Sequence, residues 1–191
     1  MKTVAKIVVV MAAMVSISGC AGNGSAVIKA GVSTRQDVFR EASDSTAIAG
    51  KALLKIDFPV KNTKARIATT YFKHSDPSYT VTINIDGQAI VLKDEPVLED
   101  LPWDFKDNPE AGTGWKYAFK KELLLEPGKH HMTIAVPLSD VILVKDITLH
   151  AGTNILKVTP DYRTSGMRDR NYPKFNLGLN TLKLELNNQE L

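Results

Sequence analysis

Few side chains in this sequence are typed and spaced for chemistry, and most of them fail a simple geometric test. Four histidines are present, His74, His130, His131 and His150. His130 and His131 are neighbours in a strand-like run, where successive side chains point to opposite faces, so the pair does not chelate one ion. A zinc site needs three or four converging ligands, and these histidines read as structural or solvated. Serine chemistry needs a base, an orienting acid and often a sharp strand-to-helix elbow, yet no G-x-S-x-G occurs. Gly112-Thr113-Gly114 precedes no helix, so it does not read as a phosphate cradle. A pair of carboxylates for glycoside hydrolysis need not be close in sequence, and that alternative stays open. No catalytic residue, metal or cofactor is expected.

The richest segment is 94–115. It holds Asp94, Glu95, Glu99, Asp100, Asp104, Asp107 and Glu110 against the single Lys106, with Trp103, Phe105 and Trp115 interleaved and Tyr117 just beyond. A loop of this length in a compact domain is uncommon and often functional. Tryptophan is a frequent binding anchor because its large rigid ring gains contact area at little entropic cost. Trp103, Trp115, Tyr117, Asp104 and Asp107 are therefore the candidate binding residues, for carbohydrate stacking, peptide docking or calcium. The acids lack the D-x-[DN]-x-[DN]-G calcium spacing. The other reading is that Leu101, Trp103 and Phe105 pin the loop onto the core. A second irregular stretch, Asp161 to Lys174, carries Arg163, Arg168, Arg170 and Lys174 with Tyr162 and Tyr172. It reads as a solvated linker, or as a basic partner for the acidic loop, an anionic lipid or a glycan.

The only cysteine, Cys20, ends a short export-like leader. Lys2 and Lys6 give a positive head, Ile7 to Val15 an apolar core, and Ser16-Ile17-Ser18-Gly19 small residues up to the thiol. That is the layout of a secretory signal peptide, and the apolar run is too short for a membrane span of about 20 residues. Ile17-Ser18-Gly19-Cys20 resembles the lipobox of bacterial lipoproteins. The resemblance implies removal of residues 1–19 and acylation of Cys20 with chains such as palmitate. Since Ala21, not aspartate, follows Cys20, it also implies the outer membrane if the host is Gram-negative.

These features need a scaffold, and the patterning supplies one. Residues 20–30 read as a lipidated tether, with Ala21 to Ala26 small, polar and flexible. Residues 31–191 read as one domain. Ser33 and Gln36 have capping-box spacing ahead of Val38, Phe39 and Ala42, so a helix is expected over Thr34 to Ala42. This start is similar to that of small envelope lipoproteins such as the SmpA/BamE family. Beyond residue 51 the period becomes two: Tyr79, Val81, Ile83 and Ile85 alternate with polar residues, as do Leu182, Leu184 and Leu186. Other strand-like runs are Ala52–Phe58, Ala65–Phe72, Ala89–Lys93, Tyr117–Glu126, Lys129–Val136, Val141–Leu149 and Asn154–Thr159. Asp86-Gly87, Pro127-Gly128, Ser139-Asp140 and Ala151-Gly152 punctuate them. About nine strands and one helix predict a mostly β, antiparallel β-sandwich. Val81 to Gly87, followed after an insertion by Leu125-Glu126-Pro127-Gly128-Lys129-His130, is similar to the PEGA-like and DUF2846-like β-domains of bacterial envelope proteins. That resemblance implies a PEGA-like or immunoglobulin-like sandwich serving as a non-catalytic envelope module.

The 191-residue chain carries a net charge of +3, and without Lys2 and Lys6 only +1. A nucleic-acid partner would need a clustered cationic face, and none is expected. The function these features predict is that of a lipid-anchored envelope protein binding another envelope protein or a glycan. The alternative is a periplasmic carbohydrate-active hydrolase using the acids of 94–115.

Overall fold

Strand alternation with one apolar face forces two sheets to meet, and the computed structural model shows that arrangement. It describes residues 22–42, 48–63, 79–102, 108–164 and 174–191. Cys20, His74, the strand expected over Ala65–Phe72, Trp103, Asp104, Asp107, Arg168, Arg170 and Tyr172 lie outside the described residues.

The larger sheet holds β1 (Phe39–Glu41), β2 (Ala52–Thr63), β5 (Val97–Leu101), β6 (Gly112–Leu125), β9 (Gly152–Tyr162), β10 (Leu179–Leu186) and β11 (Gln189–Glu190). Its order is β1-β6-β2-β9-β10-β11, with β5 also paired to β6. The smaller sheet is β4 (Gln88–Leu92), β3 (Val81–Ile85), β7 (Gly128–Val136) and β8 (Val141–Leu149), in that order. The facing sides bury Leu54, Ile56, Phe58 and Val60 of β2 against Ile83, Ile85, Met132 and Ile134 of the smaller sheet. Tyr117 and Phe119 stack at 5.6 Å between centroids, with Tyr79 5.0 Å from Tyr117. The mostly β sandwich with one short helix is thus the architecture the alternation implies. One pairing departs from the antiparallel rule: Ala52–Asp57 of β2 runs parallel to Gly152–Lys157 of β9.

The helix lies elsewhere than expected. Thr34 to Ala42 is not helical because its backbone groups find partners across the hairpin β3–β4. The Gln88 side chain accepts the Val38 and Phe39 N–H groups and donates to the Phe39 carbonyl, while the Gly87 carbonyl takes the Thr34 N–H. Those bonds extend the segment along the edge of β4 and deliver Phe39 to β6, where β1 pairs with Leu123–Leu125. The helix, α1, is Gly24–Ala30, within the stretch expected to be tether. Val27 and Ala30, three apart and so on one helical face, bury against Ala135 and Ile142 on the outer side of the smaller sheet.

The turn Asp86-Gly87 joins β3 to β4 with φ of 49° and 92°. Positive φ at both central residues is the two-residue hairpin turn that matches strand twist, and it leaves the Asp86 carboxylate pointing at β7.

Candidate functional site

The segment 94–115 is not one long loop. β5 and the first residues of β6 form a hairpin in it, with Val97 opposite Lys116, Leu98 opposite Trp115 and Leu101 opposite Gly112. Pro96 and Pro102 bracket β5 and the acids dilute its alternation, so the sequence gives a weak strand signal there. Trp115 lies in β6, half-buried against the core. Tyr117 is fully buried, so it is a core ring and not a surface anchor. Burial first, then Tyr79, Glu95 and Asp94, push its hydroxyl up to about 12.

The carboxylates of this hairpin bind their own chain. Lys61 of β2 and Lys116 of β6 stand directly opposite, an arrangement that repels unless neutralised. The Lys61 side chain is fully buried, and its ammonium donates to the carbonyls of Glu110 and Gly112 at 2.8 and 2.7 Å. It also lies 3.1 Å from Glu99 Oε2 and over the Phe175 ring at 5.1 Å. Glu99 Oε2 is shut off from solvent and takes no hydrogen bond, so the Lys61 charge is what compensates it. Glu110 pairs with Lys116 through one oxygen and accepts the Tyr162 hydroxyl on the other at 2.6 Å. Burial first, then Glu110, drives the Tyr162 hydroxyl far above its ordinary range. That hydroxyl in turn accepts the Lys61 N–H. Asp94 accepts the Ala118 N–H and Asp100 the Thr113 hydroxyl. Phe175 closes the group from the short 3₁₀ turn Lys174–Leu177, against Gly114, where a Cβ would sit 2.6 Å from the ring.

This hairpin exposes two apolar side chains beside the charged Asp100. Leu98 is 46% exposed opposite Trp115, and Val97, opposite Lys116 on the other face of this edge strand, is 68% exposed. Exposed apolar residues beside aromatic rings supply contact area for a partner.

The histidines separate as expected. His130 bonds Asp86 at 2.7 Å and the Glu126 carbonyl at 2.9 Å, whereas His131 bonds Asp146. Among the described residues no group of three or more His, Cys, Asp or Glu side chains is placed to hold a metal. At the opposite end of β6 lies a cleft of about 380 Å³, lined by Gln36, Val38, Arg40, Lys51, Leu125 and Glu126. Sequence reasoning missed it because β1 was read as helix. The Lys51–Glu126 ion pair belongs to its wall. Among the described residues no helix is long and apolar enough to cross a membrane.

Compared with protein-family models, curated proteins and solved structures, the chain matches none of them.

Proposed function

We propose that this protein is a bacterial envelope lipoprotein, held by acyl chains on Cys20, whose sandwich is a non-catalytic module that docks an envelope protein or glycan through the β5–β6 hairpin. The observation that carries the anchor is the run from Lys2 through Ile7–Val15 to Ile17-Ser18-Gly19-Cys20. Support for the docking end is the exposure of Leu98 opposite Trp115 on an edge strand, with Val97 exposed on the other face of that strand. The hydrolase reading draws on acids of the same segment, and Asp94, Glu99, Asp100 and Glu110 are each engaged by their own chain. That engagement favours binding.

Expression of Cys20→Ser, with fractionation of membranes, tests the anchor: the variant is expected in the soluble fraction, and its retention in membranes overturns it. In a Gram-negative host the wild-type protein belongs to the outer-membrane fraction. Cross-linking of the wild type and Leu98→Asp in cells tests the docking end. Loss of the cross-linked species in a variant with unchanged thermal stability supports it, and an identical cross-linking pattern refutes it.

A further inference from the structure

The chain leaves almost no slack between Cys20 and the folded domain. Gly22 lies against Asp140, so closely that a Cβ there would meet the carboxylate at 2.6 Å. Asn23 is tied to the same residue twice: its N–H donates to Asp140 Oδ2 at 3.1 Å, and its side-chain amide donates to the Asp140 carbonyl at 3.0 Å. α1 starts at the next residue and packs on Ala135 and Ile142. Only Ala21 separates Gly22 from Cys20, and two extended residues reach about 7 Å.

Several apolar side chains are exposed on that side of the molecule. Val91, Thr82, Ala135 and Ile142 stand in one cross-strand row on the outer side of the smaller sheet, where Thr82 and Ala135 are buried and Val91 is exposed. Asn84 of the same face holds the last residue of α1 through the Ala30 carbonyl. Ile28 is 72% exposed on α1, and Leu138 is 50% exposed in the 3₁₀ turn Pro137–Ser139, two residues from Asp140. Val32, Val91 and Val144 are also exposed there. Half of the ten large exposed hydrophobic side chains among the described residues therefore lie on α1 and the residues just after it, on the Pro137–Ser139 turn or on the outer side of the smaller sheet, the side from which the chain leaves for Cys20. An apolar patch held within reach of a lipid anchor meets the headgroup–acyl boundary, where such side chains are stabilised by burial.

We propose that the sandwich lies directly on the bilayer, α1 and the Pro137–Asp140 turn against the lipid, and does not swing on a tether. The outer side of the larger sheet, with the docking hairpin's sheet, then faces away. This inference rests on acylation of Cys20, and its test separates the two. Full-length Leu138→Cys, Ile28→Cys and Lys183→Cys proteins are purified with their lipid and placed in phosphatidylethanolamine–phosphatidylglycerol vesicles. A nitroxide is attached to the new thiol, and its collisions with oxygen, which enters lipid, are compared with those of a water-soluble nickel chelate. Lys183 is exposed on the far side of the larger sheet and serves as the aqueous reference. Oxygen collisions favoured several-fold at positions 138 and 28 over 183 support the proposal. Nickel-favoured collisions at all three, on protein whose intact mass shows lipid at Cys20, overturn this inference and leave the lipoprotein reading standing. An intact mass without lipid overturns both.

Discussion

Lys61 lies 3.1 Å from Glu99 inside the protein, on the side of the larger sheet that a strand lysine would ordinarily share with water. Burying a charge is tolerated only when it is paired and bonded, and Lys61 has two carbonyls, a carboxylate and an aromatic face. Removing one partner of such a pair costs about 3–5 kcal/mol, because the other is left buried and uncompensated. Lys61→Met should lower urea-unfolding stability by an amount of that order. Adding Glu99→Gln should recover part of the loss, with a coupling of roughly 0.5–3 kcal/mol. Strict additivity of the two substitutions would remove the pair from the account.

Alkaline pH should weaken the fold. Burial raises the hydroxyls of Tyr79, Tyr117 and Tyr162 in the folded state, Tyr117 to about 12. A raised value means that the folded protein holds these protons more tightly than the unfolded chain, whose tyrosines titrate near pH 10. The contribution is complete below pH 10 and is lost as pH climbs toward 12. Tyr117→Phe keeps the ring stack and removes one such proton. Its urea midpoint should therefore fall less steeply than the wild type's over that range, and parallel curves would refute this.

Acid works through Asp86. Burial opposes its ionisation, but the His131 N–H, the His130 ring and Arg35 outweigh burial and hold its carboxyl below the usual value. A lowered value contributes stability above the unfolded pKa, and this is lost as pH falls through the folded one. Asp86→Asn tolerates the positive φ of the turn while deleting the charge. It should cost about 1–3 kcal/mol near neutrality and flatten the acid limb of a stability-against-pH curve. An unchanged acid limb would assign the loss to other carboxylates.

Gly114 is held by contact and not by backbone angle. A Cβ there would meet Phe175 at 2.6 Å and the Asn62 carbonyl at 2.8 Å, and one side of that vice is main chain. Gly114→Ala should destabilise by about 1–3 kcal/mol, the usual cost of overpacking. Phe175→Leu in the same background should relieve part of it in thermal melts.

The sandwich was legible because buried and wet residues alternate wherever a strand has one face on the core. Val141–Leu149 runs over the residues its pattern marks, β3 lies inside its own, and β10 starts at Leu179, ahead of the Leu182–Leu186 alternation. What was illegible depended on partners distant in sequence. The segment before Phe39 has local signals for a helix, and only the Gln88 side chain, about fifty residues on, makes it extended. Lys61 lies beyond the strand-like run Ala52–Phe58, and its burial depends on a turn beginning at residue 174 that places Phe175 over it. The acids of 94–115 read as a free anionic loop for the same reason: their partners, Lys61 and Tyr162, belong to β2 and β9.

The parallel pairing of β2 with β9 also sets an order of assembly. Ala52 aligns with Gly152, a hundred residues later, whereas β3 meets β4 and β7 meets β8 across tight turns. Closing long loops is slow relative to zipping hairpins, so the β3–β4 and β7–β8 hairpins can form before β2 meets β9. Until residues 152–162 arrive, Ala52–Asp57 of β2 has no strand on that edge, and β10 has no strand to join. The larger sheet therefore cannot be completed from residues 22–151 alone, and its β2 edge is paired only once residues 152–191 are present.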